Sequence, residues 1–161
     1  MQAIRGRTRR APQRSDDGAA AVEFALVVPL LLLLVFGAIQ FGIVMAQNAS
    51  LASGARAGAR YGVVNVFGGH TCGGVADQVR QQASTIGLTG AQVVVTVTRG
   101  QSETSAMSVC GSSATEPCEG SVVNDNLYVK AAYVSPSFVP LPGLANDFDL
   151  AGRGTYRCEY K

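Results

Sequence analysis

The chain is 161 residues long, about one ordinary domain with appendages. Its 47% apolar and 15% charged residues, against roughly 25% charged in average soluble domains, exclude a disordered chain. The net charge of +2 is confined to the N-terminal arm: Arg5, Arg7, Arg9, Arg10 and Arg14 precede residue 19, and residues 19–161 hold eight basic and nine acidic side chains. The body therefore has no cationic surplus for neutralising phosphates, and nucleic acid is not an expected partner.

After the arm, 28 residues from Ala19 to Ala46 contain one charge, Glu23, and one amide, Gln40. Residues 24–46 exceed the ~20 that a helix needs to cross a hydrocarbon core, and residues 30–35 are five leucines and a valine. That predicts a transmembrane segment over 24–46. Five arginines before it, and none after it until Arg56, predict a cytoplasmic N-terminus and a C-terminal part outside the cytoplasm. The run is longer than the ~7–15 apolar residues of a secretory signal, although Val44-Met45-Ala46 would suit cleavage there. A lipoprotein signal would need a cysteine just after the run, and the first cysteine is Cys72. A plain uncleaved anchor also fits the hydropathy, but neither it nor a signal peptide accounts for Glu23. A carboxylate inside a spanning segment is costly, and by default it points to function.

Glu23 stands in Gly18-Ala19-Ala20-Ala21-Val22-Glu23-Phe24, where the charged arm meets the apolar run. Here the sequence resembles the TadE/TadG-like pseudopilins of tight-adherence (Flp-type) pilus systems. The resemblance runs on through Pro29 in the aliphatic helix to Ala55-Arg56-Ala57-Gly58-Ala59-Arg60, over roughly residues 15–62. It implies cutting by a prepilin peptidase after Gly18, a mature chain starting at Ala19, and Glu23 and Phe24 as its fifth and sixth residues. Implied partners are that peptidase, the major pilin and other minor pilins, and the membrane assembly platform with its secretion ATPase. The freed amine of Ala19 would lie ~6 Å along a helix from Glu23. Two opposite charges at one membrane depth favour pairing, within one subunit or with its neighbour. Pro29 removes one helical hydrogen bond, which membranes tolerate; it is the candidate place of a bend, the alternative being that it does nothing more.

Beyond the membrane the helical pattern persists to Tyr61. Gly54, Gly58 and Gly62 repeat at the small-residue spacing that lets another backbone approach closely, with Arg56 and Arg60 four apart on one face. Three glycines would weaken a lone helix, which favours packing against a partner. The bland alternative is an alanine-rich helix whose glycines mark its end. Residues 19–61 would form ~64 Å of helix, about twice the hydrocarbon thickness.

Residues 62–161 read as a small extracytoplasmic module. Residues 62–74 are a glycine-rich loop, with 63–67 extended, and residues 75–86 carry apolar positions at helical spacing. Residues 92–99, 127–134 and 154–160 read as strands. The Ser/Thr-rich stretch 101–121 reads as a loop, and Pro136, Pro140, Pro142 and Gly143 mark an irregular crossing. The expected fold is α+β: a basic leader at 1–18, a long N-terminal helix at 19–61, and at 62–161 one helix on a roughly three-stranded antiparallel sheet.

Four cysteines on the outer side imply two disulfides, with three connectivities open. Cys110 and Cys118 lie eight apart in one polar loop, which favours Cys110–Cys118 with Cys72–Cys158. A zinc site at His70 and Cys72 fails on ligand spacing. Asp147 and Asp149, like Asn124-Asp125-Asn126, read as turn chemistry before calcium ligation. With one histidine, no nucleophile elbow and no phosphate-cradling loop, neither catalytic residues nor a cofactor are expected. The expectation is a non-enzymatic pilin-like subunit in the cytoplasmic membrane, reaching the cell surface or pilus after processing. The alternative is a signal-anchored or secreted disulfide-bonded binding module.

Overall fold

The computed structural model describes residues 16–64, 69–85, 87–137 and 147–158. It contains two helices, α1 (Asp16–Val63) and α2 (Cys72–Gln82), and four strands, β1 (Val94–Gly100), β2 (Met107–Ser108), β3 (Asn126–Ser135) and β4 (Phe148–Arg157). The architecture is α+β. The chain divides into two compact units, residues 1–37 and 38–161.

In the first unit the described chain is helix alone. Leucine is its commonest residue, followed by alanine and valine, and leucine and alanine are strong helix formers. A helix also satisfies its own backbone groups, as an apolar segment must when no water can do so.

In the second unit α1 acquires a covered side. Gln47, Leu51, Ala55 and Ala59 are each fully buried, at the three-to-four-residue spacing that lines one helix face. Against that side lie α2 and an antiparallel sheet of order β2-β1-β3-β4. Alternation along β3 sends Leu127, Val129, Ala131, Tyr133 and Ser135 inward, so the sheet has one core face and one outer face. Register is continuous across the three long strands, Val97 opposite Val129 and Val129 opposite Gly154.

α2 begins at Cys72, three residues before the expected start. The Thr71 hydroxyl caps it by accepting from the Gly74 amide at 3.3 Å, satisfying one of the unpaired donors of the first turn. It ends at Gln82, and the chain then turns through Gly87 at a φ of +73°, a conformation glycine adopts without penalty. The sheet has four strands where three were expected. The additional β2 is a two-residue pairing, Arg99 with Met107 and Thr98 with Ser108, too short for any alternation to register in a Ser/Thr-rich stretch.

β4 occupies Phe148–Arg157, starting six residues before the expected strand. Its glycines are the reason. A β-carbon on Gly152 would meet the backbone of Leu51 and Ala52, and one on Gly154 the backbone of Ala55 and Arg56. These strand glycines therefore mark where the α1 backbone lies directly on the sheet. Of the expected extended stretch 63–67, Val63 closes α1 and 65–68 lie outside the described residues. So do Pro140, Pro142, Gly143 and Tyr160.

The cysteine pairing differs from the expected one. Cys72 is bonded to Cys110, and Cys118 to Cys158. The Cys72 amide donates to the Thr115 carbonyl at 2.8 Å and the Gly73 amide to the Ser113 carbonyl at 2.9 Å, laying this loop across the start of α2. That puts Cys110 beside Cys72 and carries the chain on to Cys118. The Cys158 amide, at the end of β4, donates to the Asp125 carbonyl at 2.9 Å, which holds Cys158 in the same corner as Cys118. Nearness in sequence was a weak guide because closure entropy grows only slowly with loop length.

Candidate processing and assembly site

Gly18, Ala19, Glu23 and Phe24 all lie on α1, within its first three turns, and all are exposed. No atom lies within 4 Å of where a β-carbon on Gly18 would sit, so packing does not require glycine there. The amides of a helix's first turn have no intrahelical partners, which makes the Gly18–Ala19 bond one of the easier ones to draw out of the helix. Ala19 and Glu23 are separated by one helical turn and share a face.

The apolar run follows without interruption. Leu30 is 62% exposed and Leu34 64%, values that no water-facing helix would sustain over several turns. The most apolar window of α1 has a mean hydropathy of 2.7 and none of it is buried. This is the pattern of a single-pass membrane anchor. Pro29 lies inside α1, which continues across it.

The glycine stripe is occupied from within the chain. A β-carbon on Gly54 would lie 2.8 Å from the Val79 carbonyl oxygen, one on Gly58 would meet the Val79 side chain, and one on Gly62 would lie 2.6 Å from Leu127. The expected close partner is therefore the chain's own α2, joined by β3 at Gly62. Arg56 and Arg60 are exposed, and Arg60 stands in the last turn of α1, where a cation complements the helix dipole.

Residues 18–60 match the family model described as TadE-like protein. The chain carries a TadE-like domain. The domain takes in Gly18, Glu23, Phe24, the apolar run and most of the glycine stripe, and it stops three residues before α1 ends. No curated protein and no solved structure is significantly similar to the chain.

Beyond the TadE-like domain, several polar groups among the described residues tie the module's loops together. The His70 ring stacks on Tyr61 at 4.1 Å, and its Nδ1 donates to the Tyr61 carbonyl at 2.7 Å. Cys72 is in a disulfide, so this pair offers no joint metal site. Among the described residues no group of three or more His, Cys, Asp or Glu side chains could hold a metal ion. Arg99 and Asp125 form an ion pair at 3.6 Å, 18% and 10% exposed. Arg99 also donates to the Pro117 and Glu119 carbonyls, and Asp125 accepts from the Val122 amide. Together they tie the loop before β3 to β1. Sequence reasoning had taken Asp125 as turn chemistry and had no signal for its partner, 26 positions away. It also missed the buried Gln40 and Gln47. Their seven-residue spacing, continued by Leu51 four residues on, is the signal that could have shown a covered helix side beginning inside the apolar run.

Proposed function

We propose that this protein is a minor pilin-like subunit of a tight-adherence pilus system. It is cut after Gly18 by a prepilin peptidase and acts in pilus assembly and adhesion. The observation that carries the reading is the position of the TadE-like match: it begins at Gly18 and runs with the exposed apolar helix into the module. Such a helix can lie in the cytoplasmic membrane and then exchange lipid for the apolar helices of other pilins. The arginines of the leader keep residues 1–18 on the cytoplasmic side, with the module outside.

In this account Glu23 sets the register. Once Ala19 is the N-terminus, its ammonium and the Glu23 carboxylate share one turn of helix in a setting where an unpaired charge is expensive. A helix arriving at the growing assembly settles where its carboxylate meets a neighbour's amine. Phe24 adds an apolar contact beside that pair, and Pro29 supplies a point where the helix can bend as it packs. The major pilin, other minor pilins and the assembly platform are the partners of this step.

A strain lacking the protein, complemented with variants, tests the reading. Wild type should restore surface pili and adhesion. Glu23→Ala should be made, inserted and cut, yet should leave pili reduced at least to the level of the deletion background. Full piliation with Glu23→Ala would remove the carboxylate from assembly.

A further inference from the structure

The apolar run as read from sequence ends at Ala46, but the module claims α1 well before that. Gln40 is 7% exposed and Gln47 is fully buried, so one side of the helix is already covered from residue 40. The other side is still bare apolar surface: Phe41 is 67% exposed and Met45 56%, four apart on one face.

The register of α1 on the sheet shows what lies level with that bare side. Gly152 abuts Leu51, and Gly154 abuts Ala55, so two strand residues match four helix residues and the two elements run in the same direction. Four strand residues back from Gly152 to Phe148 cover about 13 Å. That is the rise of about nine helix residues, which brings Phe148 level with about residue 43 of α1. Phe148 lies on the helix-facing side of β4 and is still 40% exposed, and Val134, opposite Asp149 at the same level, is 55% exposed. The end of the module from which α1 runs toward its N-terminus thus carries four exposed large apolar side chains, Phe41, Met45, Val134 and Phe148. Asp147 and Asp149 flank Phe148 and are exposed.

We infer that this end of the module is a lipid-facing foot. The hydrocarbon crossing ends near Ile39, and Phe41, Met45, Val134 and Phe148 rest in the headgroup layer of the outer leaflet. The inference rests on the membrane reading of α1 and gives it a boundary. Two arguments fix the occupant as lipid. Phe41 and Met45 are continuous, along α1, with the apolar residues that enter the bilayer, and Phe148 and Val134, on the two faces of the sheet, lie at their level. Residues 19–39 also make 21 residues, about 31 Å of helix, which matches a hydrocarbon core of ~30 Å without help from residues 40–46. The aspartates set the depth, since carboxylates are tolerated among headgroups and not in hydrocarbon. The same boundary draws Glu23 into the inner edge of the core, where a charge partner matters most.

The chain has no tryptophan, so single tryptophans report without background. The full chain is reconstituted into phosphatidylcholine vesicles carrying bromine either near the headgroups or deep in the acyl chains. Leu31→Trp should be quenched by deep bromine. Phe148→Trp, more than a hundred residues later in sequence, should lose about half its emission to shallow bromine, as fits a group ~5–10 Å into the headgroup boundary. Val123→Trp, in the loop before β3, should be quenched by neither. If Phe148→Trp fails to fold, Val134→Trp at the same level replaces it. Quenching of Leu31→Trp with none at Phe148→Trp or Val134→Trp would overturn the foot and leave the anchor standing. Blue-shifted but unquenched emission there would mean that protein covers the patch, and would equally overturn it. No quenching at Leu31→Trp would remove the anchor and the foot together.

Discussion

A β-carbon at Gly154 would fall on the backbone of Ala55 and Arg56, atoms that cannot move without shifting the helix. Gly154→Ala should therefore destabilise the module by ~1–3 kcal/mol or more, the usual range for overpacking a tight core. Gly37 has nothing within 4 Å of the same point, and Gly37→Ala in an exposed helix interior should be neutral or stabilising by up to ~1 kcal/mol. Urea unfolding of both variants in detergent checks the contrast, and equal effects would contradict it. The Arg99–Asp125 pair makes a second prediction at this scale. Removing one partner strands a largely buried charge, so Arg99→Met should cost ~3–5 kcal/mol in the same assay. Replacing both residues together should cost less. At this scale the sequence singles out a residue where its chemistry is at odds with its surroundings, as at Glu23, which interrupts an apolar run. It was unreadable where a residue matters through a distant neighbour: nothing around Gly154 or Arg99 points to Ala55 or Asp125.

Elements were legible in proportion to their length and periodicity. α1, β1 and β3 appear close to where hydropathy put them, α1 from its long apolar run, β1 from its β-branched residues and β3 from its alternation. β2 has two residues and no period to read. The first half of β4 was hidden because Asp147 and Asp149 look like turn residues and its glycines like breakers, when the glycines are what admits α1. The spacing of the small-residue stripe suggests close packing but says nothing of the occupant, which is α2 of the same chain, joined by β3 at Gly62. The disulfides follow the same lesson, since they are set by which loops the sheet and α2 bring together. Non-reducing peptide mass mapping should recover Cys72 with Cys110 and Cys118 with Cys158. Recovery of a Cys110–Cys118 peptide would contradict the path of this loop across the start of α2. Each bridge closes a loop of about forty residues, with sequence separations of 38 and 40, worth about 4 kcal/mol in the chain-entropy account. Reduction should therefore lower the unfolding midpoint markedly.

At the scale of the whole molecule, a helix whose most apolar window is unburied leads into a cross-linked α+β module. That arrangement suits a subunit whose helix enters an assembly while the module stays outside the hydrocarbon core. The TadE-like domain covers the helix, and residues 61–161 lie beyond it, so the module's own contacts are properties of this chain. The account stands or falls on processing, because the pairing of Glu23 with an amine exists only once Ala19 is the N-terminus. Intact mass and N-terminal sequencing of the protein recovered from membrane and surface fractions tests this most directly. The account predicts a chain beginning Ala19-Ala20-Ala21, with uncut protein accumulating when Gly18 is replaced by a large residue. A wild-type chain that begins at Met1, or near Gln47, would contradict it.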